Sequence, residues 1–141
     1  MKILIAADGS AHTKRMLAYL AAHEELLGTR HDYTVLTVVP EMPARVAASY
    51  VAADVLRNYH QEVADGVLKP IRAFFEQQGI QATFVHTVAH ASDSIAGLAR
   101  EGGFDLIVIG SHGHGALANL VLGSVTTGVL AKCATPVLIV R

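Results

Sequence analysis

The chain has 141 residues, 52% of them hydrophobic and 16% charged, a balance that suits one compact domain with a buried core and excludes a disordered chain. Eleven basic against twelve acidic side chains give a formal charge of −1 without a dense Lys/Arg cluster, so no nucleic acid partner is expected. No apolar run approaches bilayer length and the start, Met1 to Asp8, turns acidic too soon for a signal peptide, so a cytoplasmic location with no membrane partner is expected.

Five short apolar segments alternate with longer helical patterns, which reads as a βαβ series. Ile3 to Ala7 is the first strand and runs into Asp8-Gly9-Ser10. Ser10 is expected to cap a first helix that buries Met16, Leu17, Leu20 and Leu27 and stops at Gly28 through a left-handed residue. Tyr33 to Val39 is the second strand, and Pro40 to Ala48, with two prolines and several alanines, is the expected mobile loop. A long helix follows, with Val55, Tyr59, Val63, Val67, Ile71 and Phe75 four apart as one stripe, Pro70 as an internal kink and Gly79 as its stop. Ala82 to Val88 alternates with polar residues, as an outer strand does. A third helix runs from about Ser92 through Ile95, Leu98 and Ala99 to Gly102-Gly103. Leu106 to Ile109, a fourth helix from Ser124 through Val129 and Leu130, and Val137 to Val140 complete the series.

Ile3 to Ile5 and Leu106 to Ile109 are apolar at every position, as expected of central strands covered on both faces. With Ala82 to Val88 at one edge and Val137 to Val140 at the other, the prediction is an α/β fold. It is an open, doubly wound, five-stranded parallel sheet with helices on both faces, Rossmann-like, one domain over residues 1–141. Ligands of such sheets bind beyond the carboxyl ends of the strands where strand order reverses, and Asp8 and Gly110 stand at two such ends. Lone Cys133 reads as a packing residue.

The Gly-rich stretch Gly110-Ser111-His112-Gly113 follows a buried strand and precedes a helix, a place suited to phosphate because glycines admit close approach and a helix start offers unpaired N–H groups. It is not a P-loop, since no Lys with Ser or Thr follows its final Gly. Gly113 to Ala118 matches the loose dinucleotide fingerprint, but after the fourth strand and with no acidic residue downstream to hold a ribose. The wider pattern is Gly110, two residues, Gly113, nine residues, Gly123-Ser124, together with Ala7-Asp8-Gly9-Ser10 and the terminal Thr135 to Val140. Over the whole chain this resembles the ATP-binding branch of the universal stress protein family.

That resemblance implies the adenine nucleotide alpha hydrolase-like version of the fold and ATP as ligand, accompanied by a divalent cation such as Mg held mainly by the phosphates. It also implies a site. Asp8 and the main chain of Val38 would face adenine and Gly110 the ribose. Gly113, Gly123, Ser124 and Val125 would cradle the phosphates, with Ala7, Ile109 and His112 lining the pocket and Thr126 also among the cofactor-binding residues. One departure is visible, because family members often carry a Gly-x-Pro turn where this chain reads Ala89-His90-Ala91-Ser92, which affects the rim of the pocket.

Eight histidines raise a metal hypothesis, but no Cys, Asp or Glu stands at ligand spacing with His112, His114, His86 and His90, so no protein-held metal is expected. No Gly-x-Ser-x-Gly elbow is present, Ser124 reads as an N-cap, and the nearest basic side chain by sequence is Lys132, so fast phosphoryl transfer and a catalytic residue are not expected. The implied function is an ATP-binding sensor or regulator in stress response. The alternatives are a slow ATPase or self-phosphorylating protein, with Ser124 or Thr126 as acceptor, and a nucleotide-free dimeric interaction module. The apolar last strand, Val137 to Val140, is expected to join a homodimer.

Overall fold

The computed structural model describes residues 1–50, 52–115 and 121–141. Strands β1 (Lys2–Ala6), β2 (Asp32–Val39), β3 (Ala82–Val88), β4 (Leu106–Gly110) and β5 (Val137–Val140) form one sheet in the order β3-β2-β1-β4-β5. Every pairing is parallel. Helices α1 (Ala11–Ala21), α2 (Ala44–Tyr50), α3 (Ala53–Gln77), α4 (Ala91–Glu101) and α5 (Ser124–Lys132) supply the connections. Strand order runs outward from β1 to β3, then returns to β4 on the other side, so the reversal lies between β1 and β4.

Alternation along the central strands divides the core into two layers. Ile3 and Ile5 of β1 join Met16, Leu20, Leu68, Ile71 and Phe75, the inward side chains of α1 and α3. Leu4 and Ala6 point the other way, to Ile95 and Ala99 of α4 and Val129 of α5. A strand that must satisfy apolar neighbours on both faces has no polar position, which is why β1 and β4 read as unbroken apolar runs.

Ser10 caps α1 as expected, its hydroxyl accepting from the Thr13 N–H at 3.4 Å. The helix stops at Ala21, however, well before Gly28, whose φ is not positive. The intervening turn is held by Tyr33, whose buried hydroxyl accepts from the Gly28 N–H (2.8 Å) and shares its one proton between the Leu26 and Gly28 carbonyls (2.9 and 3.1 Å). Leu27 is still buried, but from that turn.

The expected loop Pro40 to Ala48 is partly helical, since Ala44–Tyr50 forms α2 with the Pro43 carbonyl accepting from the Val46 and Ala47 N–H groups. Alanine-rich sequence after a proline suits a first turn.

In α3 the four-apart stripe fails as a single face. Val55, Tyr59 and Val63 are 53%, 48% and 37% exposed, whereas Ala64, Leu68, Ile71 and Phe75 are buried. At 3.6 residues per turn each step of four drifts roughly 40°, so Val55 and Phe75 lie roughly 200° apart around the axis. The helix stays helical across Pro70 and ends as predicted. Gly79 has φ +67°, its N–H donates to the Glu76 carbonyl and the Ile80 N–H donates to the Phe75 carbonyl, the double bond of a Schellman close. Gly103 (φ +61°) ends α4 in the same way. Cys133 is half-buried and packs against the second core layer.

Candidate functional site

The site begins where β1 ends. Gly9, at φ +76°, bends the chain so that the Asp8 carboxylate folds over the start of α1. Asp8 Oδ1 accepts from the Ser10 N–H and the Thr13 hydroxyl, both at 2.9 Å, and the Asp8 N–H donates to Thr13 Oγ1 at 3.1 Å. Burial raises the Asp8 pKa, but the hydrogen bonds from Ser10 and Thr13 and the nearby His114 outweigh it and hold the carboxyl below its ordinary value. Oδ2 is the carboxylate oxygen left over, with no bond from the described residues.

Across from it, β4 delivers the Gly-rich loop. The Ser111 N–H donates to the Val140 carbonyl and the Gly123 N–H donates to the Ser111 carbonyl, both at 2.8 Å, so the loop is stitched to β5 and to the start of α5. Three of these glycines are crowded by the protein's own packing. A Cβ on Gly110 would lie 2.9 Å from His12 Cβ, on Gly113 2.6 Å from Asp8 Oδ2, and on Gly123 3.1 Å from His112 Cα. Gly123 has ordinary backbone angles (φ −70°) and is the N-cap of α5, so Ser124 is the first helical residue and not the cap expected. Thr126 is 2% exposed and its hydroxyl donates to the Gly110 carbonyl at 2.9 Å, tying α5 to the end of β4.

Between these two ends lies a crevice of about 660 Å³ at the strand-order reversal. All eleven residues named from the sequence line it: Ala7, Asp8, Val38, Ile109, Gly110, His112, Gly113, Gly123, Ser124, Val125 and Thr126. The first turn of α5 borders it, with no side-chain cap on its N–H groups. Val38 enters through β2. The Leu36 carbonyl faces β1, where it accepts from the Ala7 N–H at 3.0 Å, and the Val39 carbonyl faces β3, where it accepts from Ala89. Alternation therefore turns the main chain of Val38 to the β1 side, past the end of that strand and toward the crevice.

Sequence reasoning missed several parts of this neighbourhood. Val63 and Val67 of α3 form one wall, although nothing in their local pattern separates a wall from a core stripe. His12 lies beside the loop, its ring centroid 5.3 Å from that of His112. Arg141 reaches the Val121 carbonyl at 3.5 Å, so the nearest basic side chain to the loop is not Lys132, which instead donates to Ser92 Oγ (3.0 Å) and pairs with Asp93 (2.7 Å). The crevice lining among the described residues holds one carboxylate, Asp8, two imidazoles, His112 and His114, and no Lys or Arg. The last three residues of the dinucleotide-like pattern, Ala116 to Ala118, lie outside the described residues.

The profile of the universal stress protein family matches residues 1–141. The chain belongs to the universal stress protein family. Among its relatives are universal stress protein Slr1230 of Synechocystis, 29% identical over 140 residues (99% of this chain, 42% of the relative), and MJ0577 of Methanocaldococcus jannaschii. The latter is 34% identical over 86 residues, 61% of this chain and 53% of the relative. The chain thus spans less than half the length of Slr1230, while the segment matched in MJ0577 covers about half of that relative. The solved structure of MJ0577 matches with a TM-score of 0.83 at 29% identity, covering 99% of this chain and 94% of that one. A universal stress protein in complex with cAMP matches in fold with a TM-score of 0.69 at 23% identity, covering 100% and 97% of the two chains.

In this universal stress protein the rim at Ala89 to Ser92 is built without the Gly-x-Pro turn. His90 takes the N-cap position of α4 with no side-chain cap bond, and its Nδ1 meets Asp93 Oδ2 at 3.2 Å. Lys132 above all holds the Asp93 carboxyl below its ordinary value. No group of three or more His, Cys, Asp or Glu able to hold a metal ion occurs among the described residues, and no helix among them is long and apolar enough to cross a membrane.

Proposed function

We propose that the protein binds ATP in the crevice between β1 and β4 and acts as a nucleotide-dependent sensor or regulator in stress response, as a single domain in the cytoplasm. The observation that carries this reading is the pairing, at one strand-order reversal, of the Asp8 carboxylate at the end of β1 with the start of helix α5 on one crevice. Asp8 Oδ2 and the main chain of Val38 offer an acceptor for the adenine amino group and a main-chain donor–acceptor pair for the ring edge. At the other end the N–H groups of Gly123, Ser124 and Val125 stand at the start of α5, where the helix dipole favours an anion. The Gly123 N–H already serves the Ser111 carbonyl, which leaves Ser124 and Val125 as the principal donors.

Relatives of the same fold point to the same ligand class. Solved universal stress proteins hold cAMP, AMP (in a protein of Arabidopsis thaliana) and dAMP (in one of Archaeoglobus fulgidus). ATP in place of a monophosphate, and an accompanying divalent cation, belong to the proposal. With Asp8 the one carboxylate on the lining, that cation would be held mainly by the phosphates.

Binding fits the lining better than turnover. Hydrolysis calls for a cation on the transferred group and a positioned base, whereas the described lining has no Lys or Arg and Thr126 is buried and engaged as a donor. That disfavours Thr126 as a phosphate acceptor and leaves Ser124 for the self-phosphorylating alternative. The deciding experiment is mass spectrometry of small molecules released from protein purified without added nucleotide, followed by calorimetric titration with ATP. Co-purifying adenine nucleotide and saturable ATP binding are expected. A protein that neither carries nor binds an adenine nucleotide would be the interaction module instead.

A further inference from the structure

Beside the phosphate end of the crevice, two imidazoles share one buried hydroxyl. Ser111, 2% exposed, has Oγ 3.0 Å from His112 Nδ1 and, at the outer limit of a bond, 3.5 Å from His12 Nδ1. His112 lines the crevice, whereas His12 stands behind it on α1, held where α1 comes against Gly110. A hydroxyl has one proton to donate and two lone pairs to accept with. When both rings are neutral, Ser111 donates to one Nδ1 and accepts from the other, so only one of the two rings carries a proton on Nε2. The second Nε2 carries no proton. One proton taken from solvent onto that nitrogen makes both rings donors at Nε2 and one of them a cation, while Ser111 keeps donating to one Nδ1 and accepting from the other.

The surroundings give that proton a use. Histidine is the side chain whose charge ordinarily changes between about pH 5 and 8. The described lining has no Lys or Arg to meet a polyphosphate. The other charged and titratable groups near the pair are few. Asp8 ends β1; His114 Nε2 donates to the Asp8 carbonyl at 2.7 Å; Arg15 follows His12 by one turn of α1; Arg141, past β5, is on the Val121 carbonyl. Charge brought by the relay is then the adjustable positive charge at the phosphate end.

We propose that phosphate binding in this crevice draws up to one proton from solvent onto the His12–Ser111–His112 relay, making His12 a positioning residue that sets the pH dependence of nucleotide affinity. This rests on the ATP-binding reading above. It is tested by calorimetric titration of the full chain with ATP at pH 6, 7 and 8, each in two buffers of different ionisation enthalpy, for the parent, His12→Gln and Ser111→Ala. The parent is expected to take up a measurable fraction of a proton at pH 7 and to bind about tenfold more tightly at pH 6 than at pH 8, relative to His12→Gln. Titration of the ATP phosphate itself is common to the proteins and cancels in that ratio. In the parent, ring ¹⁵N shifts of His12 and His112 should move toward the doubly protonated form on adding ATP at pH 7, a readout that needs no variant to fold. Equal proton uptake and parallel pH profiles in the parent and His12→Gln, or unmoved ring shifts on ATP binding, would overturn the relay while leaving nucleotide binding intact. ATP that fails to bind at every pH would defeat the binding reading and the relay together.

Discussion

Asp8 does two jobs with two oxygens, and a pair of substitutions separates them. Asp8→Ala removes the acceptor of the Ser10 N–H and the Thr13 hydroxyl, the two 2.9 Å bonds that fasten the end of β1 to the start of α1. Bonds to a charged acceptor contribute about 1.5 to 3 kcal/mol each, and with Asp8 only half-buried the lower end applies, so a loss of about 2 to 4 kcal/mol is expected. For a domain of this size that lowers the melting temperature by roughly 5 to 15 °C and leaves the protein folded. Asp8→Asn keeps a neutral oxygen for both donors and should cost about 1 kcal/mol. It replaces the Oδ2 acceptor by an amide NH₂, which would face the adenine amino group donor to donor. Both variants should therefore bind ATP about 10- to 100-fold more weakly, while only Asp8→Ala loses much stability. Urea denaturation and ATP calorimetry on the same samples read the two effects. An Asp8→Asn protein with the parent's ATP affinity would remove Oδ2 from the adenine site, and an Asp8→Ala protein with the parent's urea midpoint would refute the fastening of α1.

The depressed pKa of Asp8 makes an acid prediction. Because the folded value lies below the ordinary one, its stabilisation is full above the unfolded pKa and disappears as pH falls through the folded pKa, so parent and Asp8→Asn should converge in stability between about pH 5 and 2 by denaturant titration. Gly123→Val should fold but lose most ATP affinity. The cause is not a strained φ, since Gly123 sits at −70°, but a side chain driven against His112 Cα and the Ser111 carbonyl, which displaces the phosphate loop; circular dichroism with calorimetry checks both halves. Among the described residues edge strand β5 pairs on one side only, with β4, and sedimentation at micromolar concentration should report a homodimer joined through two copies of Val137 to Val140; a strictly monomeric mass rejects that assembly.

Strand positions and sheet order could be read from the chain because each is written locally, whereas the eleven residues that line the crevice were named from a family resemblance. Apolar runs without a polar position belong in the centre of a doubly covered sheet, and a parallel sheet of this pattern has one reversal at which strand ends can form a site. Helix stops written in the backbone were equally legible, as at Gly79 and Gly103, where positive φ selects glycine whatever the neighbours. What sequence alone left open depended on partners that no local pattern names. Gly28 looked like another such stop, yet Tyr33 takes over the turn with three hydrogen bonds and the helix ends at Ala21. The stripe from Val55 to Phe75 looked continuous, and only the position of the sheet under the second half of α3 decided which residues became core and which a crevice wall. The loop glycines were legible as necessary but not for their reason, because His12, Asp8 and His112, which occupy the space their side chains would take, are brought there by folding. His12 and Arg141 themselves carry no signal in the sequence. They are 99 and 30 positions from Ser111, and only the closing of β5 beside β4 and of α1 over Gly110 brings them to the loop.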